Sequence, residues 1–382
     1  LFSMITKVRQ AVTRHLINIP GWRTRRRIVV IESDDWGSVR MASPEAYRHF
    51  LSLGYPVDQC PYNRYDMLES NDDLEALFEV LDSVKDKIGK PAVLTANSLV
   101  ANPDFEKIEA DNYSNYHYEL LTDTLKRYPN HDRVFKLYHQ GIESKLIKPQ
   151  FHGREHLNIG RWMKALQEDD PFAKEAFRFR MFSVHPDSIN DNGLEYMEAL
   201  DYDTNEQLNS FNQILVDGAN IFDQLWGYTS ASFIASCYIW PKEVEPILSQ
   251  AGVKYIQGTV VQAVPIPARR FEYKYKYHFL GQRNMFGQRY LIRNAFFEPS
   301  HTPAIDNVGE CLKRISVAFK WNKPAIISTH RLNFMGSIDP ANRDRGLKAL
   351  GELLKRIVIQ WPDVEFMSSD KLGDIMDENE SK

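Results

Sequence analysis

Ile28-Val29-Val30-Ile31-Glu32-Ser33-Asp34-Asp35-Trp36-Gly37 sets four apolar residues before two adjacent carboxylates. The apolar run suits a buried central strand, and the aspartates stand where that strand ends. In α/β barrels the reacting groups gather at the carboxyl ends of the strands. Neighbouring carboxylates repel each other unless a cation lies between them or a proton is shared. An Asp-Asp pair also caps helices, so it decides little alone.

Working outward, similar apolar runs recur at Ala92–Ala96, Leu146–His152, Met181–Val184, Ser232–Tyr238, Lys254–Gly258, Ala325–His330 and Val364–Met367. Amphipathic stretches lie between them. One covers Asp73–Ile88 and stops at Gly89; another opens with Pro241 and stops at Gly252, the Pro-first, Gly-last order of helices. Others cover Leu208–Leu225, Val308–Phe319 and Arg343–Ile359. This alternation predicts an α/β protein with a mainly parallel sheet. No linker, repeat or low-complexity tract divides the chain, so residues 27–382 read as one domain with long insertions.

Residues 1–26 form a basic segment, with Phe2, Ile5, Val8, Val12 and Leu16 at helical spacing. A helix packed on its own domain is expected there, with a membrane-surface or partner helix as the alternative. In an insertion near 265–297, Phe271, Tyr273, Tyr275 and Tyr277 alternate with Glu272, Lys274, Lys276 and His278. That period of two predicts a hairpin strand returning through Arg289–Phe297. Its aromatic face is expected to pack on the barrel wall, with sugar stacking as the alternative.

The 382 residues are 43% apolar and 26% charged, the make-up of an ordinary globular protein. A formal net charge of -4 offers nucleic acid no global attraction. Cys60, Cys237 and Cys311 are odd in number and far apart, which argues against a disulfide framework or a cysteine zinc site and predicts free buried thiols. No run reaches the ~18 apolar residues of a membrane span. The N-terminus lacks the order of a secretory signal, so a cytoplasmic location is the default. The first residue is Leu rather than Met, which leaves room for a removed leader.

Two further motifs carry chemistry. In Phe151-His152-Gly153-Arg154-Glu155-His156 the histidines are four apart, a spacing that on a helix lets both reach one metal ion. The zinc-protease motif of this spacing needs Glu after the first His, where Gly153 stands, and is excluded. Ala325-Ile326-Ile327-Ser328-Thr329-His330 again ends a buried-looking strand in a titratable side chain.

Order, spacing and strand context together resemble the polysaccharide deacetylases of carbohydrate esterase family 4, from about Arg27 to Asp370. The resemblance implies a distorted (β/α) barrel of about seven strands. It also implies hydrolysis of the N-acetyl amide of a carbohydrate. By it, Asp34 is the base, Asp35, His152 and His156 hold a divalent metal, and His330 is the acid. Zn²⁺ fits such N and O ligands. Three departures stand out: Trp36 precedes Gly37, Gly153 follows the first histidine, and Ser232–Tyr238 lacks the family's base-orienting arginine. Arg293 is expected in a comparable place. The substrate-facing candidates are Trp36, Tyr238 and Trp240 as a sugar platform, His185 at the rim, and Arg293, with Glu298 and His301 in a loop nearby. A glycoside hydrolase on a related barrel and a non-catalytic carbohydrate-binding protein are the rival readings. Neither accounts for all five motif residues.

Overall fold

The computed structural model describes residues 12–182, 196–301 and 303–380. The central element is a parallel sheet of nine strands among the described residues. They are β1 Ile28–Trp36, β2 Leu94–Ser98, β3 Ile147–Phe151, β4 Ser232–Ile234, β5 Tyr255–Gly258, β6 Arg289–Ile292, β7 Ala295–Phe296, β8 Ala325–His330 and β9 Glu365–Phe366. Seven of these are three residues or longer, in line with the strand number that the family resemblance implies. The spatial order is β6-β5-β4-β3-β2-β1-β8-β7, with β9 beside the start of β1.

The two ends of this path, β6 and β7, are consecutive in the chain. Only Arg293 and Asn294 separate them. The Arg293 amide donates to the Gly258 carbonyl at 2.9 Å, and the Asn294 amide to that of Ile326 at 3.1 Å. These two residues therefore bridge β5 to β8 and draw the sheet round into a distorted barrel.

Every residue of β1 is buried, as expected of a parallel strand covered on both faces. Helices Asn307–Lys320, Pro340–Gln360, Asn71–Asp82 and Val134–Glu143 pack in succession around one side. Asn205–Trp226 covers the other, opened by a Thr204–Gln207 capping box and ended by Gly227 at φ 74°. The C-terminal helix Ser369–Glu380 lies across the amino ends, where the Ser369 amide meets Thr95 and the Tyr255 hydroxyl meets Asp374 and Asp377. Gly346 touches the turn after His330 so closely that a Cβ would lie 1.7 Å from the Asn333 carbonyl oxygen.

Several expectations are corrected. The Tyr273–Tyr277 strand pairs antiparallel with Val261–Pro265, which precedes it, while 289–296 supplies barrel strands. Met181 and Phe182 form no strand, and the rest of Met181–Val184 lies outside the described residues. Cys60 and Cys311 are buried free thiols as expected, but Cys237 is exposed. Residues 12–16 are helical, and this segment docks on Asn307–Lys320 through an Arg14–Glu310 ion pair. No helix among the described residues is long and apolar enough to cross a membrane.

Candidate metal centre and active site

At the carboxyl ends of β1, β3, β4 and β8 lies a cavity of about 190 Å³. Asp34, Asp35, Arg40, Tyr62, His152 and His156 line it, with Met197, Ala235, Cys237, Tyr238 and His330.

Consecutive strand residues ordinarily face opposite sides. Here the β1–β2 register shifts between Ser33 and Trp36, and Asp35 takes φ 74°. This bulge, with a non-glycine residue in the left-handed region, turns Asp35 back so that both carboxylates reach one cavity. Such a conformation costs on the order of 1–3 kcal/mol and persists where the surroundings hold it.

Asp35, His152 and His156 each offer a ligand atom within 4.8 Å of the others, and all three residues are buried. The histidines do not share a helix face as the spacing suggested. They sit in an irregular loop ahead of helix Ile159–Gln167, which Gly153 turns at φ 115°. His152 Nδ1 donates to the Ile234 carbonyl at 2.9 Å, leaving the Nε2 lone pair 3.3 Å from Asp35 Oδ1. His156 Nε2 is 3.4 Å from the same oxygen. Burial lowers the His156 pKa to about 3, so the ring is neutral, and its Nδ1 has no hydrogen-bond partner. Burial raises the Asp35 pKa, but His152, His156 and Arg40 pull it well below the usual carboxylate range. A charged carboxylate facing two imidazole nitrogens is a donor set that fits a divalent cation.

Asp34 belongs to the barrel interior. Arg293 grips both its oxygens, Nη1 to Oδ2 at 2.6 Å and Nη2 to Oδ1 at 2.7 Å, while Nε binds Glu32 at 2.6 Å. Asn97 adds a bond to Oδ1 at 2.7 Å. Burial raises the Asp34 pKa, and the Arg293 guanidinium more than offsets this, holding it at about 2. Asp34 pairs with His330 in the β1–β8 register, and His330 Nε2 lies 3.8 Å from Asp34 Oδ2. His330 Nδ1 meets Glu298 at 2.7 Å, and Asn333 holds the other Glu298 oxygen at 2.7 Å. Burial lowers the His330 pKa, but Glu298 with Asp35 and Asp34 outweighs it, raising it to about 9.

The five motif residues thus meet in one cavity. The substrate-facing candidates divide. Tyr238 lines the cavity, its hydroxyl accepting from Arg293 at 3.1 Å. Trp36 is fully buried, its indole donating to Ser33 at 3.0 Å, and cannot be a sugar platform. Trp240 is buried as well, its amide bonded to Ala263 and its indole directed at Glu245. Arg293 has no side-chain exposure, so it holds Asp34 from behind rather than meeting a substrate. His185 lies outside the described residues.

The sequence reading missed Arg40, Tyr62, Asn97 and Glu32. Tyr62 places its hydroxyl 3.2 Å from His330 Nε2, and Arg40 lies over the Tyr62 ring, 3.7 Å from Asp35. Glu32 and Asn97 left a signal, since polar residues inside fully buried strands require partners. Arg40, in the segment after β1, and Tyr62, in the short helix Pro61–Tyr65, left none.

No protein-family model matches the sequence, nor does any curated protein. Solved structures do. A candidate glycoside hydrolase/deacetylase from Parabacteroides distasonis is 8% identical, with 92% of this chain and 71% of that one covered and a TM-score of 0.51. A candidate polysaccharide deacetylase from Mycobacterium smegmatis is 10% identical over 94% of both chains, TM-score 0.44. A mutant of a CE4-family pseudoenzyme is 9% identical, with 93% and 70% covered and a TM-score of 0.39. The likeness concerns the fold alone.

Proposed function

We propose that this chain is a metal-dependent hydrolase that removes the N-acetyl group from a carbohydrate. The observation that carries the reading is the bulge at Asp35, which sets a ligand-type carboxylate beside His152 and His156 while leaving the clamped carboxylate of Asp34 in the same cavity. Asp35, His152 and His156 would hold the cation. A divalent ion there, with Zn²⁺ the best match to the donors, would supply a Lewis acid able to acidify water and polarise the amide carbonyl.

The remaining chemistry belongs to the protein. Asp34, charged at neutral pH and fixed by Arg293 and Asn97, accepts the proton of the attacking water. His330, protonated below about pH 9, donates its Nε2 proton to the amine as the C–N bond breaks. The water oxygen ends on acetate and the proton on the amine nitrogen. Glu298 orients the ring through Nδ1, and Tyr62 holds Nε2 toward the cavity.

The test is metal content and acetate release by the Zn²⁺-reconstituted protein on N-acetylated sugars, beside His152→Ala. About one ion per chain, lost in the folded variant together with acetate release, is expected. Chelator-resistant cleavage of glycosidic bonds would favour a glycoside hydrolase. Glycan binding with neither metal nor product would favour a binding protein.

A further inference from the structure

Two segments outside the barrel strands are fastened by polar side chains. Tyr275 and Tyr277 are exposed, so the hairpin Val261–Pro265/Tyr273–Tyr277 does not pack an aromatic face on the barrel wall. Buried Gln262 fastens it instead, donating to the Trp240 carbonyl at 2.9 Å. The loop that carries His152 and His156 has the greater need of such a fastening, because it is a partition between two cavities. One is the cavity of Asp34 and Asp35. The other, of about 320 Å³, lies between the loop and helix Asn205–Trp226 and is lined by residues 152–155 and 157–160. Apolar packing of the loop begins at Leu157, beyond both histidines.

The two histidines are held differently. The Ile234 carbonyl fixes the His152 ring through Nδ1, as an outer partner ordinarily does for a metal-binding histidine. His156 Nδ1 has no such partner among the described residues, so the backbone on which it stands must set its ring. That backbone is tied down at the two residues before it. Arg154 is buried, its Nε donating to Glu155 Oε1 at 2.7 Å and its Nη1 to Asp217 Oδ2 at 2.8 Å. Its guanidinium lies 4.3 Å from the centre of the Tyr118 ring, and its carbonyl accepts the amides of Val100 and Ala101 at 3.2 and 3.0 Å. The Tyr116 hydroxyl donates to Glu155 at 2.9 Å and that of Tyr118 to Asp217 at 2.8 Å. Gly218 lets the helix come this close, since a Cβ there would lie 2.9 Å from that of Arg154.

We infer that Asp217, Arg154 and Glu155 are the positioning residues of the metal centre, a tie that fixes the loop so that His156 meets Asp35 and His152 at one point. It does for His156 what the Ile234 carbonyl does for His152. Charge-assisted bonds of this kind are short and directional, and they hold a backbone that has open space on both sides. The inference rests on the metal site proposed above and adds to it residues that touch neither metal nor substrate.

The experiment is Zn²⁺ titration of the full chain against a chromophoric chelator, with the visible absorption of the Co²⁺-loaded protein beside it. Asp217→Asn, Arg154→Met and Tyr118→Phe are compared with wild type, each checked for folding by urea unfolding. Asp223→Asn, on the same helix and bonded to Thr229 at 2.9 Å, is the control. Asp217→Asn and Arg154→Met should each bind Zn²⁺ about 10–100-fold more weakly, and Tyr118→Phe about threefold. The cobalt band should shift in all three, while the control matches wild type. The first two variants remove charges of opposite sign, so a field effect alone would move their affinities in opposite directions. Weakening in both is the mark of lost position. Opposite changes, or an affinity and cobalt spectrum left unchanged in Asp217→Asn, would overturn the tie. Tyr118→Phe, the mildest change, decides in the same way if the charge variants do not fold. A wild type that binds neither ion overturns the tie together with the metal site, whereas metal binding without acetate release sinks the deacetylase reading alone.

Discussion

Two arginines, Arg293 and Arg331, sit within a few residues of the cavity, and each is wholly buried with two carboxylates. Arg293 holds Glu32 and Asp34. Arg331 holds Asp66 at 2.8 Å and Glu69 at 2.7 Å, and bonds the Ser38 carbonyl at 2.5 Å. Glu69 in turn accepts the Gly37 amide and the Tyr138 hydroxyl. The chemistry is the same and the outcomes differ. Asp34 has 7% of its side chain open to the cavity and a pKa held at about 2. Asp66 is closed off, and burial raises its pKa despite Arg331. One oxygen of Asp34 keeps an open side, as the proposed base requires; the enclosed Asp66 fixes the turn after β1 and, through its other oxygen at 3.4 Å, steadies the cavity-lining Arg40.

The comparison breaks most sharply at Asp34. Asp34→Asn should lower kcat by about 10²–10⁴ while the protein still binds one metal ion per chain, as read by acetate release and metal analysis. Comparable turnover in the folded variant would remove Asp34 from the chemistry. Asp66→Asn should do the reverse. Leaving Arg331 short of a partner should cost about 3–5 kcal/mol in urea unfolding, with turnover of the folded fraction falling far less than in Asp34→Asn, by no more than the loosening of Arg40 causes. A variant of native stability but no activity would erase the distinction.

Smaller effects sharpen it. His330 has a folded pKa of about 9, above its ordinary value of 6.5. Its stabilising contribution is therefore complete below about pH 6.5 and lost as pH rises through about 9. The alkaline limb of kcat/KM should fall near pH 9, and Glu298→Gln should move it down by about 1–2 units, the worth of one charge-assisted hydrogen bond. An unmoved limb would show that Glu298 does not set the acid. Gly346→Ala, which pushes on the turn carrying Arg331, should cost about 1–3 kcal/mol in thermal or urea unfolding.

The readable part of the molecule was what repeats or what is local. The apolar run of β8 was placed from Ala325 to His330 without error, and helix Asn205–Trp226 extends the expected Leu208–Leu225 by a turn at most. The convergence of Asp35, His152 and His156 followed from the family resemblance, while the helical spacing read for the two histidines did not hold. The backbone that achieves the convergence could not be read. The φ of 74° at Asp35 and the glycine turn at Gly153 answer to tertiary contacts rather than propensity. The tryptophans misled for a related reason. Aromatic content does not say which way a ring points, and the indoles of Trp36 and Trp240 found partners inside. The Arg293–Asp34 pair spans 259 residues of sequence, a separation no local pattern encodes.

Closing the barrel falls to two residues, and one of them also charges the proposed base. Arg293 and Asn294 act as the clasp of a belt, and the side chain of the first holds Asp34. Any slackening of the sheet would be felt first at that carboxylate. On the proposed mechanism a half-open barrel would be a silent one, so turnover would double as a gauge of whether the ring is shut.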